Sequence, residues 1–223
     1  YIELASSQDW DNCYKDNKQM STWPWSNLVS LVMRYASPNK PKFRVLELGC
    51  GAGANIPFFL SLNVEYFAIE SSPTIVEVLK KKFPNLKDNI VVGDFTKNLY
   101  FKNNFDLVID RSSVTHNATK DIKQCLDAVY DALYDGGKYI GVDWFSTLYP
   151  EYKSGKHDQD IFTRTDYTNG QFANVGRVHF SDKSHLLDLF NKFKILLLQH
   201  SIVEIKIPKN SKIIAVWDLV AEK

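Results

Sequence analysis

Cysteine is scarce: 3 residues, Cys13, Cys50 and Cys125, scattered along the chain. An odd, dispersed set without C-x-x-C spacing excludes a disulfide framework and gives no structural zinc pattern. Buried thiols in a reducing compartment are the expectation, and with it a cytoplasmic location. A charge excess of one sign is missing too. The 27 basic and 26 acidic residues leave +1, so nothing draws the chain as a whole toward nucleic acid or an anionic membrane. No apolar run approaches the roughly 20 residues that span a bilayer. The opening YIELASSQDWDNCYKD has no basic stretch followed by an apolar one, so no secretory leader is read.

What is present is a globular composition, with 44% hydrophobic and 24% charged residues. At 223 residues, one domain with an added cap or lid is expected. A chain of this length buries roughly 70% of its unfolded surface and folds without crosslinks.

Along the chain, residues 1–40 read as an N-terminal cap. Trp23, Trp25, Leu28, Leu31, Val32 and Tyr35 predict a helix from about Pro24 to Tyr35, stopped by Ser37-Pro38-Asn39-Lys40-Pro41. Strands are then expected at Phe43–Leu48, Glu65–Ile69, Asn89–Val92, Phe105–Ile109 and Lys138–Val142. Helices fall between them. One opens at Ala54, one at Ser72-Pro73, and one carries Ile122, Cys125, Leu126, Val129 and Leu133. This alternation argues for a doubly wound α/β sheet with helices on both faces. From 145 to 181 the pattern fails, and a long irregular stretch inside a compact domain suggests a functional lid. Asp182–Phe190 reads as a helix burying Leu186, Leu187 and Phe190. Ile195–Ile207 and Lys212–Val220 then form a hairpin around Pro208-Lys209-Asn210-Ser211.

The sharpest local signal is Val45-Leu46-Glu47-Leu48-Gly49-Cys50-Gly51-Ala52-Gly53-Ala54, a strand running into glycines and then a helix. Glycines permit a tight turn and close approach of a ligand to the backbone. The same string also fits G-x-G-x-x-A, the dinucleotide fingerprint. Glu70, about 20 residues on, can accept from both ribose hydroxyls, which suits NAD and S-adenosylmethionine alike. Glu47 discriminates. A carboxylate there would repel a pyrophosphate but attract the ammonium of a sulfonium amino acid. Gly93-Asp94-Phe95 offers a carboxylate for an adenine amine and a ring to pack on it.

At these residues the chain resembles the class I S-adenosylmethionine-dependent methyltransferases. Glu47-x-Gly49-x-Gly51-x-Gly53 is similar to their first motif, Glu70 to their ribose-binding acid, and Asp94 with Phe95 to their adenine-binding pair. Phe105–Asp110 is similar to their fourth-strand motif. Leu133-Tyr134-Asp135-Gly136-Gly137 is similar to the turn before their fifth strand, with Asp135 in place of the usual proline. The resemblance implies a seven-stranded sheet of order 3-2-1-4-5-7-6 with an antiparallel last strand. It implies S-adenosyl-L-methionine as cofactor, held by Glu47, Gly49, Gly51, Gly53, Glu70, Ser71, Asp94, Phe95 and Asp110. A small-molecule acceptor is expected, because the strand-four edge reads Asp110-Arg111-Ser112-Ser113 and lacks the N/D-P-P-Y/F motif of nucleic-acid amino-methyltransferases. An NAD-binding oxidoreductase and a non-catalytic cofactor-binding subunit are the alternatives.

On the reacting side, His116 resembles a histidine common in the small-molecule branch, and a pKa near 7 would suit a general base. Arg111, Ser112, Ser113, Asn117, Asp143 and Trp144 share that edge. Tyr14, Trp23, Trp25, Tyr149, Tyr152, Tyr167 and Phe172 are expected to supply an aromatic acceptor pocket from cap and lid. Tyr152 and Lys156 match Y-x-x-x-K, a dehydrogenase pair, but Pro150 and Gly155 argue against the helical turn that it needs. No metal is expected, since Asp143 and His157 lack ligand spacing.

Overall fold

The computed structural model describes residues 5–102, 104–208 and 212–223. In chain order it comprises α1 (Ala5–Lys15), α2 (Ser26–Leu31), β1 (Arg44–Leu48), α3 (Ile56–Ser61), β2 (Glu65–Glu70), α4 (Pro73–Lys82), β3 (Ile90–Val92) and β4 (Phe105–Arg111). Then follow α5 (Thr119–Ala132), β5 (Leu133–Phe145), β6 (Lys156–Asp158), β7 (Asp160–Thr165), β8 (Val178–His179), α6 (Lys183–Leu189), β9 (Lys194–Glu204) and β10 (Ile213–Glu222).

The main sheet has the order β3-β2-β1-β4-β5-β10-β9. β1 through β5 run parallel, and β10 lies antiparallel between β5 and β9. Counted along this sheet alone, that is the expected 3-2-1-4-5-7-6. The central strands are apolar runs buried on both faces, as parallel strands must be. Side chains alternate between faces. Leu46, Leu48 and Val108 therefore join one core with α5 and α6, while Val45, Leu107 and Ile109 join the other with α2, α3 and α4. Helix starts follow their caps. Ser72 Oγ accepts from Ile75 N–H at 3.2 Å with Pro73 next, and Asp182 accepts from His185 N–H at 2.8 Å.

Several expectations need correction. The helix over 24–35 is shorter: α2 gives way to a π-helical turn over Val32–Ala36, which Ser37 ends at φ 45°. α1 was not anticipated, because Trp10, Cys13 and Tyr14 give it only a single turn of apolar spacing. A polar anchor also seats it: Asp11 Oδ1 accepts from Ser72 Oγ at 2.5 Å and Thr74 N–H at 3.1 Å, and Lys15 pairs with Oδ2 at 2.7 Å. Burial works against the charge of Asp11, but these hydrogen bonds outweigh it and bring its carboxyl down to about 2. β5 starts at Leu133, not at Lys138, through an irregularity opposite β4. On α6, Leu187 is exposed and Leu189 takes the buried place beside Leu186. The hairpin of β9 and β10 forms, though Lys209, Asn210 and Ser211 at its turn lie outside the described residues.

The 145–181 segment is the largest correction. It is not irregular: β6, β7 and β8 form a separate antiparallel sheet. Phe145, Tyr149, Phe172, Val175, Val178 and Phe180 give it a core of its own. This segment also docks on α6, where His179 Nε2 and His185 Nε2 meet at 3.0 Å and His185 stacks on Phe162. Phe180→Ala is therefore expected to cost about 3–5 kcal/mol, the usual value for emptying a buried ring site. Urea denaturation measures it, and a loss below about 1 kcal/mol would show that this second core is not packed.

Candidate active site

One large cleft opens at the carboxyl edge of β1, β2 and β4, the edge where α/β sheets bind ligands. Its empty volume is about 1040 Å³ with the solvent mouth included. The turn after β1 forms its floor. Gly49 has φ 68°, and a Cβ there would lie 2.4 Å from Ser113 Cβ. Gly51 has φ 51°, and a Cβ would approach the Tyr14 hydroxyl to 2.9 Å. Gly49 is therefore required by backbone and by space, and Gly51 by its backbone conformation.

Glu70 ends β2 beside this turn. Gly51 N–H donates to its Oε2 at 2.9 Å and Ser72 N–H to its Oε1 at 3.0 Å, with Ser71 Oγ at 3.3 Å. Burial raises the Glu70 pKa, and these hydrogen bonds oppose the rise. Glu47 is buried on β1. It accepts from Asn55 Nδ2 at 2.8 Å and from the Tyr66 hydroxyl at 2.5 Å. Burial lifts it to about 7 despite both donors. Asn55 Oδ1, also buried, has no partner among the described residues. Across the cleft, Asp94 Oδ1 accepts from Thr96 N–H at 2.9 Å and Thr96 Oγ1 at 2.7 Å, which fixes the turn after β3 beside Phe95.

Of the residues expected to hold the cofactor, Glu47, Gly49, Gly51, Glu70, Ser71, Asp94 and Phe95 line this cleft together. Gly53 and Asp110 are not among the lining residues. The Gly53 N–H closes the turn onto Cys50 O at 2.9 Å. Asp110 is fully buried behind the wall. It accepts from Ser113 N–H at 2.8 Å, Val114 N–H at 2.9 Å and Trp144 Nε1 at 2.6 Å, and also from Ser113 Oγ. With its oxygens committed to the protein, Asp110 shapes the turn that sets Ser113 against Gly49.

The far side of the cleft holds Arg111, Ser112, Ser113, His116 and Asn117, roofed by Trp10, Tyr14, Gln19, Ser21 and Trp25. His116 Nδ1 lies 2.8 Å from Arg177 O. A carbonyl only accepts, so Nδ1 carries the proton and Nε2 the lone pair. Burial pulls the imidazole down to about 4, below the value near 7 expected from the sequence. Its ring packs edge-on against Trp10 at 4.9 Å. Arg111 Nε donates to Asp143 Oδ2 at 2.9 Å, and its guanidinium lies 3.9 Å over the Trp25 ring.

The expected aromatic pocket is only partly there. Tyr14 and Trp25 line the cleft, Trp23 is 78% exposed, and Tyr149 and Phe172 are core residues of the 145–181 segment, with Tyr152 and Tyr167 packed on them. Trp10 and Asn55 were missed. Trp10 sits on a helix whose apolar spacing is only one turn long, and Asn55 falls just past the glycine motif. Tyr152 and Lys156 lie on a 3-10 turn and on β6, so no helical turn joins them. Among the described residues, no group of three metal-ligating side chains converges.

A family model described as Methyltransferase domain matches residues 45–137. No curated protein matches the sequence. Among solved structures, the fold is similar to a methyltransferase of Methanosarcina mazei, at 14% identity and TM-score 0.68, over 90% of this chain and 98% of that one. It is also similar to the CcbJ methyltransferase of Streptomyces caelestis, at 15% identity and TM-score 0.66, over 100% and 99%. A third is the 1,6-didemethyltoxoflavin-N1-methyltransferase of Burkholderia thailandensis, with that compound and S-adenosylhomocysteine bound, at 16% identity and TM-score 0.62, over 98% and 88%. At these identities the structural likeness is one of fold. Residues 45–137 match a methyltransferase-domain model, and the sheet has the order expected of the class I S-adenosylmethionine-dependent methyltransferase fold. S-adenosylmethionine is the cofactor that this likeness supports. The site fits that group, with a backbone cradle at Gly49 and Gly51, a carboxylate at each of β1, β2 and the turn after β3, and an unmet buried acceptor on Asn55.

Two outcomes follow. Glu70→Ala is expected to weaken S-adenosylhomocysteine binding by about 2–3 kcal/mol, the scale of lost charged hydrogen bonds. Calorimetry reads it, and wild-type affinity in the variant would refute the assignment. Glu47 acts on stability. Its pKa rises from 4.5 to about 7 on folding, so the folded chain holds that proton more tightly than the unfolded one. Stability therefore falls as pH climbs through this window and the full cost is felt above it. Glu47→Gln should gain about 1–3 kcal/mol over wild type at pH 8 relative to pH 5 in ligand-free denaturation. No change in that difference would refute the buried, partly protonated state.

Proposed function

We propose that the enzyme methylates a small-molecule acceptor that enters between α1, α2 and the β4 edge. The observation that carries this reading is His116, a neutral imidazole whose proton sits on the nitrogen turned to Arg177 O, in the wall of the cleft beside Trp10. The near-zero net charge also argues against a nucleic-acid substrate. A sugar, an amine and a quinone-like ring all suit such a cleft. Three free, buried cysteines support a cytoplasmic location. Among the described residues, no helix is long and apolar enough to cross a membrane.

When bound, the cofactor supplies a methyl group on a positively charged sulfur. The chain's residues bind, orient and exclude water. Glu70 holds the ribose hydroxyls, Asp94 accepts from the adenine amine, and Phe95 packs on its ring. Asp110, through Ser113, positions the floor under the reacting end. Alignment of the acceptor against the methyl carbon supplies much of the rate. His116 Nε2 accepts the acceptor's proton.

The reading predicts that His116→Ala leaves cofactor affinity nearly intact and lowers single-turnover rate by about 10²–10⁴. Because the imidazole must be unprotonated to act, and its pKa is about 4, the wild-type rate should rise with pH through about 4 and be flat at neutral pH. A limb near 7, or equal rates in both proteins across the range, would leave His116 as a packing residue that ties Arg177 to the wall.

A further inference from the structure

Arg111 has no role in the account above. Its Nε donates to Asp143 Oδ2 at 2.9 Å, and among the described residues no acceptor meets its Nη groups. Arg164 shows the contrast: it spends its guanidinium on the carbonyls of Tyr152, Ile161 and Thr163. The free end of Arg111 presents two parallel N–H donors, a fork that matches a carboxylate. Of the described residues that line the cleft, it is the one lysine or arginine. The Trp25 indole covers one side of it, 3.9 Å from the guanidinium carbon to the ring centroid.

This guanidinium stands on a built platform. Asp143, near the end of β5, has φ 57°, a left-handed backbone that residues other than glycine rarely adopt. Its N–H donates to Asp218 Oδ1 at 2.9 Å, and its carbonyl accepts from Ser112 Oγ at 2.9 Å. Asn27 Nδ2 reaches Asp143 Oδ1 and Asp218 Oδ2, both at 3.4 Å. Ser112 is left-handed as well, at φ 56°. Elements α2, β4, β5 and β10 thus converge to hold one ion pair at the cleft wall. Its supports lie on one side. The acids given to the nucleoside stand at the end of β2 and after β3, whereas Trp25 and Asn27 belong to the start of α2, and Asp143 and Asp218 to strands beyond β4. On that far wall the guanidinium shares the cleft with His116.

We infer that the methyl acceptor is a carboxylic acid, bound as its anion by the Arg111 fork beside the Trp25 ring. This deepens the reading above and rests on its acceptor path between α1, α2 and the β4 edge. Asp143 already balances the guanidinium, and Asp218 lies behind it. Directed hydrogen bonds therefore select the anion, and net charge does little. A neutral amide of the same shape offers one oxygen and one NH₂, so it sets a donor against the second donor of the fork. The cofactor's own carboxylate is the competing source of an anion for Arg111, and the test separates the two.

The test is calorimetry on the enzyme saturated with S-adenosylhomocysteine, with three matched pairs of ligands. They are para-hydroxy-, para-amino- and para-mercaptobenzoate, each against its benzamide. Within a pair the ring and the nucleophile stay, and only the carboxylate changes. Wild type should bind the acids at least about tenfold tighter than the amides. Arg111→Gln should erase that ratio, with the amides and S-adenosylhomocysteine held within about twofold of their wild-type affinities. Arg111→Lys should restore part of the ratio, since it returns the charge without the fork. Equal binding of acid and amide by wild type, or an unchanged ratio in Arg111→Gln, would overturn the inference and leave the acceptor site standing. A loss of about tenfold in S-adenosylhomocysteine affinity in Arg111→Gln would overturn it as well. With the amides unaffected, that loss gives the guanidinium to the cofactor; with the amides weakened alike, it gives it to the fold. If none of the six ligands bound to wild type, the acceptor path itself would fail, and this receptor with it.

Discussion

The buried carboxylate of Asp110 is the constraint on which the site depends. It sits at 0% exposure at the end of β4 and gathers two backbone N–H groups, a serine hydroxyl and the Trp144 indole around one charge. Burial raises its pKa, and those donors hold the rise in check. Through Trp144 it ties the end of β4 to the end of β5, and through Ser113 it meets the β1 turn, where the one hydroxyl proton of Ser113 is shared between Asp110 and Leu48 O. Three strand ends are thereby fixed in register at the one edge where a ligand is to lie. Removing one partner of such a network leaves the others buried and unpaired, which costs more than any single bond in it contributes.

How much of this could be read from the residues follows from which forces left a periodic trace. β1, β2 and β4 were legible because a strand buried on both faces must be an unbroken apolar run, and Val45–Leu48 and Phe105–Ile109 are such runs. Ser72-Pro73 and Asp182 were legible because capping is local. α1 was not, because it is seated by Asp11, a long-range polar contact to Ser72 and Thr74 that no spacing within Ala5–Lys15 announces. The 145–181 sheet was not, since β6 and β8 span only 3 and 2 residues, too few for a period to show. Its core is instead built from aromatics on its loops, and for that reason Tyr149 and Phe172 looked like pocket residues.

At the site, the glycine turn and the two acids at strand ends were visible because their positions are set by distance along the chain. The protonation chemistry was not. His116 stands where the sequence put it, yet its distance from solvent and its bond to Arg177 come from a segment more than sixty residues away. Asp110 shows the reverse. Its place in the motif suggested contact with the cofactor, and alternation along β4 turned it inward to Trp144 and Arg111 outward to Trp25.

The place of β10 bears on how the domain assembles. It is the last of the seven strands to be synthesised, yet it lies inside the sheet, between β5 and β9. Until it emerges from the ribosome, the long β5 presents an open edge with a row of unsatisfied amides and carbonyls. β9 cannot close that edge, because its neighbour in the sheet is β10. The parallel half that carries the cleft can form beforehand, but the nascent chain carries a sticky strand for as long as the final hairpin takes to appear. For this fold, vulnerability to misassociation is concentrated in the interval between the emergence of β5 and that of β10.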